Sequence, residues 1–325
     1  MATTAVASAS AKVTEAGSSL VYPLATIWSQ HYTATSVSTA SVGSGKGIND
    51  IQLGQVDIGA SDAPMTSSQY AADHSGTPVQ IPWALSATGV GYNIKGVGYG
   101  LKLNGTLLAE IFSGKVTSWG NKAIVKLNPK FKKALDAAGH ISPIVRSDGS
   151  GDSYAFQHFL SVAAPKVWTY GYSTSWGSPV GTGENGNSGV AGEVRINSGS
   201  IGYISAYYLV NEHITTAAIE NQAGNFEYPN PKNILDAAES NSKISGQGSG
   251  FTGVSIVNPG KKYKTAYPIS TYTYAIVNTN DSNVSAVKGF LSWAVTTGQS
   301  YGVSLDFVPL PAGIRTADAG LINSL

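Results

Sequence analysis

"ISPIVRSDGSGDSYAFQHFL", residues 141–160, sets an apolar run directly ahead of a Gly/Ser/Asp turn and then a stretch with helical spacing. The first part reads as a strand. Tyr154, Phe156, Phe159, Leu160 and Ala163 then continue as an amphipathic helix until Pro165. Two other segments share this plan. In "EAGSSLVYPLATIW" (15–28) a Gly-Ser-Ser turn precedes Leu20, Leu24, Ile27 and Trp28, with Pro23 tolerable only near a helix start. In "SVGSGKGIND" (41–50) Ser44 sits in a glycine-rich turn, Ile48, Ile51 and Leu53 follow at helical spacing, and Asp50 is expected in the first turn. A strand–turn–helix unit used three times argues for an α/β fold. Helix openings offer free N–H groups and a positive dipole end to an anion. In open α/β sheets ligands sit beyond the carboxyl ends of the strands, where three hydroxyl-bearing turns can converge on one small anion. A serine that only caps its own helix explains each turn separately, so both readings stand at this stage.

The glycine-rich turn at 41–50 is not a nucleotide loop. A P-loop requires G-x-x-x-x-G-K-[ST], whereas Gly45-Lys46 is followed by Gly47 and Ala40 stands at the first glycine position. No G-x-S-x-G surrounds Ser44 either. Elsewhere "VDIGAS" (56–61) is a short strand closed by a turn, and "LNGTLLAEIFSG" (103–114) puts Leu107, Ile111 and Phe112 on a helical face that Gly114 stops. "SIGYISAYYLV" (200–210) and "STYTYAIVN" (270–278) read as Tyr/Ile/Val-rich strands. "GTGENGNSGVAGEV" (181–194) reads as a loop packed near a site.

With 325 residues the chain exceeds the size at which single cores stop growing, so two lobes are expected. Charged residues are only 12% of the chain, against about a quarter in ordinary domains, and the balance is +1. That leaves no basic field for nucleic acid or anionic lipid. The absence of cysteine excludes disulfides, thiolate metal sites and cysteine nucleophiles. His31, His74, His140, His158 and His213 lack close ligand spacing, so no metal site is expected, nor any cofactor. Lys46 is expected in solvent, and the six Trp and 17 Tyr in cores and strands. No apolar run reaches the roughly 18 residues of a membrane span. The opening "MATTAVASASAKV" has neither a basic nor an apolar leader region, and residues 1–10 are expected to be a disordered remnant or linker.

Taken together, "GSSLVYPL", "VGSGKG", "VDIGASDAPM", "LNPKF", "RSDGSGDS", "GENGNSG", "GSIGYIS", "YPISTYTYAIVN" and "FVPLPAGI" resemble the phosphate-binding proteins of high-affinity phosphate ABC importers, from about Lys12 to the end. The resemblance implies an α/β, two-lobe, type II periplasmic-binding-protein-like fold, each lobe a mixed sheet flanked by helices. Two crossovers would form the hinge, near Gly89 to Asn93 and near Tyr267 to Tyr274. Lobe one would be 1–92 plus 270–325, and lobe two 93–269. It implies no enzyme. The ligand would be inorganic phosphate, the partners membrane permease subunits, the state a monomer, and the location the periplasm or the outer face of the cytoplasmic membrane.

Position by position, the resemblance puts phosphate contacts on Ser19, Leu20, Ser44, Asp62, Arg146, Ser150, Gly151 and Asp152. Leu20 stands where many relatives have Phe, a change of little effect if the contact is a main-chain N–H. Asp152 stands where many have Thr. Phosphate near neutral pH keeps a proton and sulfate has none. A carboxylate at Asp62 therefore accepts the phosphate O–H and meets sulfate with an unpaired like charge, and a buried group left unsatisfied discriminates by up to about 10⁴- to 10⁵-fold. Arg146 supplies forked donors and the fixed cation. Asp148 either orients that guanidinium or caps the "DGSG" turn. Asp152 either accepts a second phosphate proton or lends only its N–H. Asn187 is expected to buttress the site from the second lobe. The rival readings are a phosphate-ester hydrolase using Ser44 or Ser150 with Asp62 as base, a receptor for sulfate, molybdate or tungstate, and an inert adhesion or signalling module on the same fold.

Overall fold

A computed structural model of the chain describes residues 12–325, so the expectation for residues 1–10 lies outside it. Each of the three units of the opening argument forms as expected: β1 (Lys12–Gly17) leads to α1 (Tyr22–His31), β2 (Ser36–Ser41) to α2 (Ser44–Gln52), and, after β3 (Ile58–Ser61), α3 (Ser67–Ala71), β4 (Pro78–Tyr92), β5 (Lys102–Leu103), α4 (Gly105–Phe112), α5 (Lys122–Leu127) and α6 (Lys132–Ala138), β6 (Ser142–Arg146) leads to α7 (Gly151–Ala163). The remainder is β7 (Thr182–Glu184), α8 (Gly186–Ile196), β8 (Ser200–Ser205), α9 (Ala206–Asn211), β9 (Ala218–Glu220), β10 (Phe226–Glu227), α10 (Pro231–Ala238), β11 (Ser270–Asn278), α11 (Val284–Ala294) and α12 (Ala312–Ser324).

Eight strands lie in the order β2-β1-β3-β11-β4-β8-β6-β7. The outer pairs are parallel, as strand–helix–strand crossovers require, and antiparallel β11 and β4 join them in the middle. β4 is buried along its whole length. Its residues Pro78–Ala87 pair with β11, and from Thr88 onward it pairs with β8. That change of partner falls just ahead of the crossing expected at 89–93, and β11 begins inside the span 267–274 where the other was expected. Pro82 has no N–H for the ladder, and the β4–β11 register slips by one residue beside it, opposite Thr273 and Tyr274. Such a bulge re-aims the neighbouring side chains.

Separate aromatic clusters fill the two halves. Trp28 and Trp83 (centroids 5.3 Å apart) pack with Phe290 on one side, and Phe112, Phe156, Trp176 and Tyr203 on the other, with Phe156 and Tyr203 4.8 Å apart. The architecture is a two-lobe α/β one, a mixed sheet flanked by helices. Residues 241–257 fold back over the first half, where the Gln247 amide exchanges hydrogen bonds with the Gln80 backbone (3.0 and 2.9 Å) and the Val254 N–H donates to the Tyr274 hydroxyl (2.7 Å).

Three local expectations are corrected. "SIGYISAYYLV" is a strand only to Ser205, after which α9 takes Ala206–Asn211, because α9 packs on β4 and tertiary packing overrides the strand preference of Tyr and Val. The stretch 181–194 is not a loop but β7 followed by α8, turned by Gly186 at φ 66°. Asp50 lies in the second turn of α2, where it binds Lys46, and Leu53 falls past the helix end, 54% exposed.

Glu15 on β1 is 3% exposed, and its Oε2 has no partner among the described residues. Burial pushes its carboxyl up to about 8 from an ordinary 4.5, against the opposing Ala40 N–H. The folded chain therefore keeps a proton that the unfolded chain gives up above about pH 4.5, and stability is lost as pH rises through that window to about 8. We expect the fall in urea midpoint between pH 5 and pH 8 to be shallower in Glu15→Gln, measured by circular dichroism.

Candidate anion-binding site

The three strand-to-helix turns meet between the lobes. Gly43 enters α2 at φ 86°, a conformation costly for any side chain, and so presents Ser44 as the first helical residue. Ser44 is buried, its Oγ donating to Asp62 Oδ2 at 3.3 Å and accepting the Asp62 N–H at 3.2 Å. Asp62, just past β3, is 2% exposed. Its Oδ2 accepts the Ser18 hydroxyl at 2.6 Å and its Oδ1 the Thr273 hydroxyl at 2.6 Å. Ser19 is buried beside it, with Oγ accepting from Asn187 Nδ2 (2.9 Å), and the Leu20 N–H donates to Ser18 Oγ (3.1 Å).

From the second lobe, β6 ends in Arg146, 2% exposed. Asp148 takes both its Nε (2.7 Å) and its Nη2, and also accepts the Gly186 N–H at 3.1 Å, so of its two expected readings the fork on the guanidinium is the one formed. Nη1 reaches Asp152 Oδ2 at 3.2 Å. Asp152 is 1% exposed, and the Thr88 hydroxyl (2.7 Å, to Oδ1) and Asn187 Nδ2 (2.7 Å, to Oδ2) also bind it. The Asp152 side chain thus turns inward rather than to solvent. Ser150 caps α7 through the Ser153 N–H (3.3 Å). Gly151 lies so close to Asp62 that an added Cβ would be 2.3 Å from Oδ2. Among the described residues, the Gly151 and Asp152 N–H groups find no acceptor.

All eight predicted contact residues, with Asp148 and Asn187, therefore lie in one enclosed cluster. Lys46 does not join it; its side chain is 52% exposed. Sequence reasoning missed Ser18, Thr88 and Thr273. Ser18 was visible in the same Gly-Ser-Ser turn, whereas Thr88 and Thr273 lie on the central strands with no motif around them.

Three carboxyls surround one guanidinium, and their environments separate them. Burial first, then the charge of Asp152, pushes Asp62 up to about 7, against hydrogen bonds from Ser18 and Thr273 and the charge of Arg146. Burial likewise raises Asp152, opposed by Arg146, Thr88 and Asn187. For Asp148 burial is outweighed by the hydrogen bonds and charge of Arg146, so that carboxyl lies below the ordinary range. The arrangement joins hydroxyls, free N–H groups at a helix opening and one fixed cation with carboxylate acceptors. It suits a small tetrahedral oxyanion that still carries a proton.

The family model described as the PBP superfamily domain matches residues 2–297. The phosphate-binding protein PstS of Xylella fastidiosa strain 9a5c is 32% identical over 313 residues, covering 94% of this chain and 83% of that one. PstS of Haemophilus influenzae is 33% identical, covering 93% and 90%. A crystal structure of a phosphate-binding protein from Stenotrophomonas maltophilia superimposes with a TM-score of 0.75 at 20% identity, over 95% of this chain and 93% of that one, a likeness of fold. On this similarity the chain belongs to the PBP superfamily and, within it, to the family of PstS phosphate-binding proteins.

Proposed function

We propose that the chain is an extracytoplasmic solute-binding protein that captures inorganic phosphate between two lobes and delivers it to the permease subunits of an ABC importer. The observation that carries this reading is the buried pairing of Asp62 with hydroxyl donors opposite Arg146, at the meeting point of three helix openings. Ser19, Leu20, Ser44, Asp62, Arg146, Ser150, Gly151 and Asp152 hold the phosphate, while Asp148 aims the guanidinium and Asn187 bridges the lobes. Lobe one comprises 1–92 and 270–325 and lobe two 93–269, with residues 241–257 laid over the first. Closure about β4 and β11 buries the anion, and release to the permease follows opening.

The receptor works as a monomer at the periplasmic or outer face of the cytoplasmic membrane and performs no covalent chemistry. Ser44 and Ser150 have no imidazole beside them in the cluster, and their hydroxyls are engaged with Asp62 and with the α7 cap. Among the described residues no helix is long and apolar enough to cross a membrane.

Titrating ligand-stripped protein with phosphate and sulfate by calorimetry tests the reading. Phosphate is expected to bind with weak dependence on salt, because dipoles and hydroxyls carry most of the contact and the charges are buried, and sulfate more weakly, by up to about 10⁴-fold where Asp62 is ionised. Equal affinity for the two anions overturns it. If Asp152 accepts a second proton, dihydrogen phosphate binds at least as well as the monohydrogen form. Affinity that tightens steadily from pH 5 to pH 9 removes that role.

A further inference from the structure

We propose that Ser18 and Thr273 set the phosphate-over-sulfate selectivity of the cleft by holding Asp62 as a proton acceptor, so that acidification or loss of either hydroxyl admits sulfate. The inference rests on the phosphate-binding reading and concerns two residues outside the anion's own contacts.

Asp62 is almost wholly removed from water, a setting that favours the neutral acid. A neutral carboxyl carries an O–H, and its gatekeeping is reversed: it donates to a fully deprotonated anion where the carboxylate would repel it. What opposes neutralisation is a donor on each oxygen. Ser18 Oγ lies 2.6 Å from Oδ2, and since an ionised carboxylate only accepts, the Ser18 hydroxyl is the donor. Thr273 Oγ1 has Asp62 Oδ1, at 2.6 Å, as its one partner among the described residues. With Ser44 at 3.3 Å, three of the roughly four acceptor positions of the carboxylate are filled, which leaves one for the guest's O–H. Antiparallel pairing of β11 with β3, with Tyr274 opposite Ser61, is what brings Thr273 beside Asp62.

The charged and titratable groups around Asp62 are few. Arg146 on β6 favours the carboxylate and Asp152 on α7 opposes it. Tyr154 and His158 of α7 and Tyr274 of β11 line a cavity of about 20 Å³ against Asp62, together with residues 252–257. Burial keeps His158 below its ordinary range.

Sulfate keeps one protonation state between pH 5 and pH 8, so its binding profile reads the protein alone. Equilibrium dialysis with labelled sulfate and labelled phosphate is expected to show sulfate affinity rising in the wild-type chain as pH falls, by up to tenfold per unit. In Thr273→Val the profile moves about one unit toward higher pH, the size expected for losing one hydrogen bond to a charged group. With Asp62 near 7 in the wild type, sulfate then binds about threefold tighter than in the wild type at pH 7.5. Thr273→Ser restores the wild-type profile, which a packing defect would not, and Ser18→Ala serves should Thr273→Val not fold.

Three outcomes overturn the inference while leaving phosphate binding intact. These are a pH-independent sulfate affinity, a hydroxyl-deletion variant that binds phosphate but keeps the wild-type sulfate profile, and a shift produced by His158→Gln instead. A wild-type chain that binds neither anion defeats the proposed function itself.

Discussion

Replacing Arg146 by Ala is expected to weaken phosphate binding by about 10³-fold and to destabilise the ligand-stripped protein as well. Removing one partner of a buried, hydrogen-bonded charge pair costs about 3–5 kcal/mol, and about 4 kcal/mol corresponds to that factor. The cost is large here because Arg146 is 2% exposed and serves two carboxylates, Asp148 through its fork and Asp152 through Nη1. Without it both would stay buried with no cation beside them. Arg146→Lys returns the charge but not the planar fork, so partial recovery is expected. Calorimetric titration with phosphate and a thermal melt of the stripped protein measure the two effects. An Arg146→Ala variant within threefold of the wild-type affinity contradicts the assigned cation.

The second large effect is expected from Gly151→Ala. A Cβ there would lie 2.3 Å from Asp62 Oδ2 and 2.4 Å from Asp62 Cβ, inside any tolerable approach. Asp62 cannot swing aside without breaking its bonds to Ser18 and Thr273. The methyl therefore holds the lobes apart by about an ångström, a misplacement that costs about 10²-fold where many short bonds must form together. Because the collision lies between lobes and not within one, the melting temperature of the stripped protein should stay near the wild-type value while phosphate affinity falls. A variant that binds phosphate normally would mean that Gly151 and Asp62 never approach this closely in solution.

The layered fold was legible because its decisive units are local. Periodicity behind Ser44 and Ser150 and the turns before them are short-range signals, and α2 and α7 formed where they were expected. Asp62 and Arg146 were legible through family resemblance and the chemistry of a protonated anion. Thr273 was not, since it reaches Asp62 across 211 positions of sequence, brought there by the pairing of β11 with β3. The Gly-Ser-Ser turn holds two hydroxyls with different partners, that of Ser18 on Asp62 and that of Ser19 facing Asn187, a distinction no local pattern carries. At 200–210 residue preference misled, because Tyr207, Tyr208 and Val210 favour a strand in isolation but are folded into α9 against β4 and β8.

Several of the bonds between the lobes join protein to protein. Asn187 reaches Ser19, Thr88 reaches Asp152, and the Gly45 N–H donates to the Gly149 carbonyl at 2.8 Å with no side chain on either residue. Each must rupture before a captured anion can leave, so parting of the jaws limits the lifetime of the complex in addition to the anion's own bonds. A transporter that pries the jaws open would then hasten departure.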